Sequence, residues 1–274
     1  DSIDSDLAML KKMIATLINV SGKRMSFDAV FDEVAEGLKS EVDYLREAES
    51  MKKFQSAFAD FSHYIIPTVI EGFVTRRVLT MTFEEGVKLN TWLHKGMKAG
   101  DRRWFGDMIL DLLYDEIFRT GLVQTDPNYG NFLIRPSDKA IVLLDFGAVS
   151  EFSVEFRSHF KSLLAAVIGG NRAEIVEASK PFELLDARET EKTTEMFFEL
   201  METIGYIFRP ENQPFDFSNV EYLERVRKQS LTFASSVRYT SPARKMVFLN
   251  RKLGGMYHLL KEAGCKLDLK RWVS

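Results

Sequence analysis

Three oxygen-bearing side chains carry the most chemistry in this sequence. Asp126 and Asn131 lie in the loop QTDPNYGN (124–131), and Asp145 opens the segment DFG. Phosphoryl transfer needs a carboxylate beside the attacking hydroxyl and hard oxygen ligands that hold Mg²⁺ on the phosphates. An Asp on a loop, an Asn five residues later and an Asp opening a DFG segment have the order and spacing of such a site. Both stretches are also rich in Asp, Asn, Pro and Gly, the residues of ordinary turns. Either piece alone is common. The joint pattern, set after a long helix and across a hairpin, is much rarer and favours the site.

The elements around the three residues give a reason for them to converge. Phe132-Leu133-Ile134 and Ile141-Val142-Leu143-Leu144, joined by 135–140, read as a β-hairpin. If Ile134 faces Ile141, Asn131 falls beside Leu144 and so next to Asp145. Pro127 pushes Asp126 out of helical angles. A helix over 101–120, with Phe105, Ile109, Leu112 and Leu113 inward and Gly121 as its stop, leads into the loop.

Upstream, an amphipathic helix is expected over 4–19, and a second from the cap Ser26 to about Phe58. On the second, Phe27, Phe31, Val34, Leu38, Leu45 and Ala48 form an apolar face interrupted by Glu41, an acid that is costly there without a partner. Asp43 and Glu47 lie one turn apart on another face. Residues 64–70 and 78–82 read as strands, and 86–100 as a loop with a short helix. Beyond about 152 the pattern is helical: roughly 153–168, 171–179, 189–208, 219–236 and 242–263. The last helix has a stripe of Met246, Leu249, Leu253, Met256 and Leu260, read as core, and Gly254-Gly255 read as a close approach to a neighbour.

The bulk numbers narrow the function classes. The chain has 274 residues, enough for one large domain or two small ones, and a net charge of −3 with no basic block, so no nucleic-acid partner is expected. The single cysteine, Cys265, excludes an internal disulfide, and the four histidines lack metal-ligand spacing. No apolar run is long enough for a transmembrane helix. The chain begins at Asp1 without Met and is read as a fragment of a longer protein.

QTDPNYGNF followed by LLDFGAVSEF resembles the UbiB family of atypical kinases, also called ADCK proteins. EVDYLREAE (41–49) resembles the family's ExD motif and its helix, and SIDSDL and NRKLGG look like family segments, so the resemblance covers nearly the whole chain. The Gln124-Thr125-Asp126 form resembles the branch that includes ubiquinone-biosynthesis members. The resemblance implies an α+β, protein-kinase-like fold: a partial small N-lobe over 1–83, with strands and a hinge, and a mostly helical C-lobe over 84–274. It makes Asp126 the catalytic residue and Asn131 and Asp145 the metal ligands. Glu47 becomes the helix acid that pairs with a phosphate-binding lysine, and Glu41 and Asp43 the ExD acids. Met81, Thr82, Phe83 and Glu84 form the hinge behind the adenine, with Met81 as gatekeeper.

The implied cofactors are ATP and Mg²⁺. The implied activity is atypical kinase or ATPase action supporting ubiquinone or other isoprenoid-lipid metabolism. The implied partners are nucleotide, an isoprenoid lipid or membrane surface, and quinone-biosynthesis enzymes. Mitochondrial matrix and bacterial cytoplasm with peripheral membrane association both stay open. One departure stands out: the family's alanine-rich loop, strand lysine and KxGQ helix are not found in these residues. Weak nucleotide binding and no activity are therefore expected of this stretch alone. No APE segment follows DFG, which disfavours a docked protein substrate. A small-molecule kinase of the aminoglycoside or choline type, and a nucleotide-gated scaffold with little turnover, remain the alternatives.

Overall fold

The computed structural model describes residues 43–272. The helix expected over 4–19, the segment SIDSDL, the start of the second helix and Glu41 lie outside them. The chain divides into two compact units. Of the described residues, one takes 43–59 together with 66–84 and 144–148; the other takes 60–65, 85–143 and 149–272.

In the first unit, α1 (Tyr44–Ala57) begins where the Asp43 side chain accepts the Arg46 N–H. Asp43 has φ −95° and ψ 82°, so the expected single helix from Ser26 to Phe58 is interrupted at this cap. The buried face of α1 is Glu47, Ala48, Met51 and Phe54, whereas Leu45, expected on the apolar face, is 42% exposed. Phe54 stacks on Phe58 and meets the ring of Phe146 edge-on, 5.0 Å away. Gln55 Nε2 donates to the carbonyls of Ile66 and Pro67, tying the helix to the following segment. The strands expected over 64–70 and 78–82 shrink here to bridges, Val69 with Met81 and Thr75 with Val78. Pro67 has no N–H to give a ladder, and a 3₁₀ turn over Glu71–Phe73 ends the extended run.

The second unit is built around a four-stranded sheet in the order β1-β5-β4-β2: β1 (Tyr64–Ile65), β2 (Val87–Lys88), β4 (Phe132–Arg135) and β5 (Ala140–Leu143). β4 and β5 form the expected hairpin, with Ile134 opposite Ile141 and Phe132 opposite Leu143. β5 is buried at all four positions, as its unbroken apolar run requires of a central strand. A short helix α2 (Leu89–Thr91) continues as a π turn to Gly96.

The long helix α3 (Asp101–Tyr114) continues through a π turn, Asp115–Thr120, and stops at Gly121 with φ 74°. A side chain there would strike the Phe152 carbonyl at 2.6 Å, so only glycine fits. β3 (Leu122–Gln124) then pairs antiparallel with β6 (Val149–Glu151). The five expected helices follow as α4 (Val154–Gly169), α5 (Arg172–Ser179), α6 (Glu191–Tyr206), α7 (Val220–Ser236) and α8 (Arg244–Glu262). The region is not wholly helical, because β7 (Phe215–Asp216) pairs with β8 (Lys266–Leu267). Met246, Leu249, Met256 and Leu260 are buried, so the last helix does pack into the core.

Candidate active site

The loop that carries Asp126 and Asn131 is assembled within the second unit. It leaves β3 at Gln124, turns at Pro127 and closes as a 3₁₀ turn over Tyr129–Asn131. Asn128 holds that turn, accepting the Gly130 N–H at 2.9 Å on its side chain and the Asn131 N–H at 3.0 Å on its carbonyl. The turn brings two of the three predicted residues together: Asn131 Nδ2 donates to Asp126 Oδ2 at 3.0 Å. Asn131 is buried and Asp126 half-buried. With its amide nitrogen directed at Asp126, Asn131 keeps a carbonyl oxygen, a hard donor suited to magnesium.

Helix α8 reaches the same loop. Arg251 donates to Asp126 Oδ1 at 2.8 Å, so both oxygens of the carboxylate are engaged. Four residues on, a side chain at Gly255 would lie 2.2 Å from Pro127 Cβ and 2.3 Å from its Cγ. The close approach expected at Gly254-Gly255 is therefore onto the 124–131 loop, and it uses Gly255; Gly254 faces open space. Beneath the loop, Lys252 Nζ and Glu116 Oε2 form an ion pair of 2.8 Å with both side chains 0% exposed. Glu116 Oε1 accepts the backbone N–H of Gln124 at 3.3 Å. Burial pushes the Glu116 carboxyl above its ordinary value, while the Lys252 ammonium and the Gln124 N–H pull it back.

Glu116, Arg251 and Lys252 were not singled out by sequence reasoning, although a signal existed. Phe105, Ile109, Leu112 and Glu116 follow steps of four, three and four, and so do Leu249, Lys252 and Met256 by three and four. Each charge therefore stands on an apolar stripe, the same clue that picked out Glu41. Arg251 has no such clue; its place on the exposed side of α8 is visible only in three dimensions.

In the first unit, Asp145 accepts the Gly147 N–H at 2.9 Å, and the Phe146 N–H is donated to Glu47 Oε1 at 3.2 Å. Glu47 is thus not on a solvated helix face; it is buried, and it fixes the backbone of DFG. Burial raises its carboxyl above the ordinary range, the Phe146 N–H opposes that, and the negative charge of Asp145 adds to it. Among the described residues no lysine or arginine pairs with Glu47. Asp43, the second ExD acid, serves as the exposed helix cap.

In the stretch 81–84, Met81 is bridged to Val69, and the Thr82 N–H is donated to the Thr68 carbonyl at 2.8 Å. The Phe83 ring is 88% exposed, and Glu84 accepts from Thr82 Oγ1. The Thr82 N–H is therefore committed to the chain itself.

The donor chemistry suits a hard divalent cation. The Asn131 carbonyl and the Asp145 carboxylate, one in each unit, are each hard oxygen donors, and Asp145 lies close enough to the desolvated Glu47 for the two like charges to oppose each other. No group of three or more His, Cys, Asp or Glu among the described residues could hold a metal alone. Magnesium commonly takes one or two protein oxygens and completes its shell with phosphate and water.

Residues 1–179 match the family model of the ABC1 atypical kinase-like domain. The chain is 30% identical over 266 residues to the mitochondrial atypical kinase coq-8 of Caenorhabditis elegans, covering 94% of this chain and 34% of that protein. It is 30% identical over 270 residues to the mitochondrial atypical kinase COQ8 of Saccharomyces cerevisiae, covering 97% of this chain and 53% of that protein. It therefore spans between a third and about half of the length of these relatives. Among solved structures, Rv3197 of Mycobacterium tuberculosis, determined with erythromycin, superposes with a TM-score of 0.73 at 20% identity, over 98% of this chain and 66% of that one. At that identity the likeness concerns the α+β, kinase-like fold alone.

Proposed function

The chain belongs to the ABC1 atypical kinase-like family, the UbiB or ADCK family its motifs resemble, and from that premise we propose that it carries the Mg-ATP site of an atypical kinase or ATPase. In this reading residues 1–83 contribute to the small lobe and 84–274 form the large lobe. Asp126 orients the attacking hydroxyl or water and accepts its proton. Asn131 and Asp145 hold Mg²⁺, which neutralises charge on the phosphates when bound. Glu47 anchors DFG through the Phe146 N–H and awaits a cation, the role the family gives to a strand lysine. Phe83 and Glu84 offer backbone groups to the adenine, behind the gatekeeper Met81.

The reaction would serve ubiquinone or other isoprenoid-lipid metabolism, with a lipid or membrane surface and quinone-biosynthesis enzymes as partners. Mitochondrial matrix and bacterial cytoplasm are the compartments consistent with it. No described helix is long and apolar enough to cross a membrane.

The observation that supports this reading most is the 3.0 Å contact between Asn131 and Asp126, which gives the carboxylate a fixed direction. The test is ATP turnover with Mg²⁺ by the natural gene product that carries this chain. Asp126→Asn should lower kcat by at least about a hundredfold, the usual worth of a positioned proton acceptor. Equal turnover by the variant would remove Asp126 from the chemistry.

A further inference from the structure

Within the five-residue stretch 251–255 of α8, three residues bear on the Asp126 loop. Arg251 takes Asp126, Gly255 receives Pro127, and Lys252 acts on the strand end through Glu116, whose other oxygen holds the Gln124 N–H. Gln124 is the last residue of β3 and stands two residues before Asp126. The Lys252–Glu116 pair therefore sits where it can set the angle at which the chain enters the loop.

Stability gives little reason for the pair. Removing two charges from water is expensive, and an apolar pair of similar volume usually serves the fold as well or better. Among the described residues, neither Lys252 Nζ nor Glu116 Oε2 has a side-chain or backbone partner beyond the ion pair itself. What an apolar pair cannot supply is an acceptor for the Gln124 N–H. A carboxylate can, and once it is buried it needs a buried cation. Glu116 also lies on the π-wound end of α3, a distortion frequent at functional sites.

We propose that Lys252 and Glu116 are positioning residues of the phosphoryl-transfer site: they fix the Gln124 backbone, and through it the Asp126 loop, without touching substrate. This rests on the functional reading above.

The natural gene product is compared with two double variants, Glu116→Leu/Lys252→Met and Glu116→Gln/Lys252→Met. The first removes both charges and the acceptor; the second removes both charges and keeps an acceptor. The measurements are thermal midpoint, amide exchange of the 122–130 segment, and kcat and KM for ATP. The Leu/Met variant should keep its midpoint, exchange the loop amides at least about tenfold faster, and lose about tenfold in kcat with KM unchanged. The Gln/Met variant should recover both the slow exchange and most of the kcat. Native loop exchange and native kcat in the Leu/Met variant would overturn the proposal. So would its failure to fold, because the pair would then be a stability element, and so would equal impairment of the two variants. Asp126→Asn is run alongside. If it too leaves turnover intact, the functional reading has failed; if it alone is impaired, only the positioning role has.

Discussion

Glu47 and Glu116 are both buried carboxylates, one in each unit, and each accepts a backbone N–H beside a motif segment: Phe146 of DFG for one, Gln124 at the start of the 124–131 loop for the other. They differ in their counter-charge. Glu116 has Lys252 at 2.8 Å. Glu47 has no such cation among the described residues, and its charged neighbour is Asp145, of the same sign. Glu116 carries its counter-charge within the second unit, whereas the Glu47 carboxyl, desolvated and beside Asp145, is raised above its ordinary value. A desolvated carboxylate beside a like charge is the kind of group that clusters at functional sites.

The comparison breaks most visibly at Lys252. Lys252→Met leaves the Glu116 carboxylate buried without its cation, and a loss of about 3–5 kcal/mol in unfolding free energy is expected at neutral pH. Glu116 escapes the cost by taking up a proton, so the deficit should narrow as pH falls toward 5. Urea denaturation at the two pH values checks both statements. A loss under about 1 kcal/mol at neutral pH would mean that Glu116 is already neutral beside the lysine.

Gly255→Ala should follow. The added methyl group meets Pro127 at 2.2–2.3 Å, far inside contact distance, and neither the proline ring nor helix α8 can yield cheaply. Overpacking of this kind costs about 1–3 kcal/mol. ATP turnover should fall as well, because the displaced proline adjoins Asp126. The same change at Gly254, which faces open space, should be neutral or slightly stabilising and serves as the control.

The helical region and the hairpin were legible in the sequence because local signals set them. Gly121 stops α3, and the register of Ile134 with Ile141 follows from the length of the turn. The break at Asp43 was hidden because an aspartate reads equally well as a solvated helical residue or as a cap. The motif residues Asp126 and Asn131 were legible by type and spacing, and the structure adds their contact. Arg251, 125 residues from Asp126 in the chain, could not be assigned from spacing: a surface arginine on a helix has the same local pattern whether or not it meets a loop. Glu116 and Lys252 were readable as charges on apolar stripes, but their pairing was not.

Glu47→Gln sharpens the other half of the comparison. The folded protein holds this carboxyl above its ordinary 4.5. Its contribution to stability is complete below that value and declines as pH rises through the raised one. Glutamine keeps an acceptor for the Phe146 N–H and does not ionise. The wild type should therefore lose ground to Glu47→Gln as pH is raised from 4 to 7, read as the difference between their thermal midpoints, whereas nucleotide-dependent activity is lost. A difference moving the other way would show that a cation already meets Glu47 in the folded protein. The matching change at the other site, Glu116→Gln, strands Lys252 and should destabilise at neutral pH, so opposite signs for the same substitution separate the two glutamates.

The smallest effect on stability is expected at Arg251. Its side chain is 56% exposed and that of Asp126 is 26% exposed, so water screens the pair, and Arg251→Ala should shift the unfolding free energy by about 0–1 kcal/mol. Catalysis should respond more. Without Arg251, Asp126 keeps only the Asn131 contact on Oδ2, and Oδ1 is free to turn toward solvent. The loss in kcat should be smaller than that of Asp126→Asn, with KM for ATP unaltered. Arg251→Lys restores charge but not the planar fork of donors, so it should recover part of the loss. A stability cost as large as that of Lys252→Met would place Arg251 among the internal struts. A small cost with a clear kcat effect would divide the labour by burial: the buried Lys252–Glu116 pair shapes the loop, and the exposed Arg251–Asp126 pair aims the carboxylate.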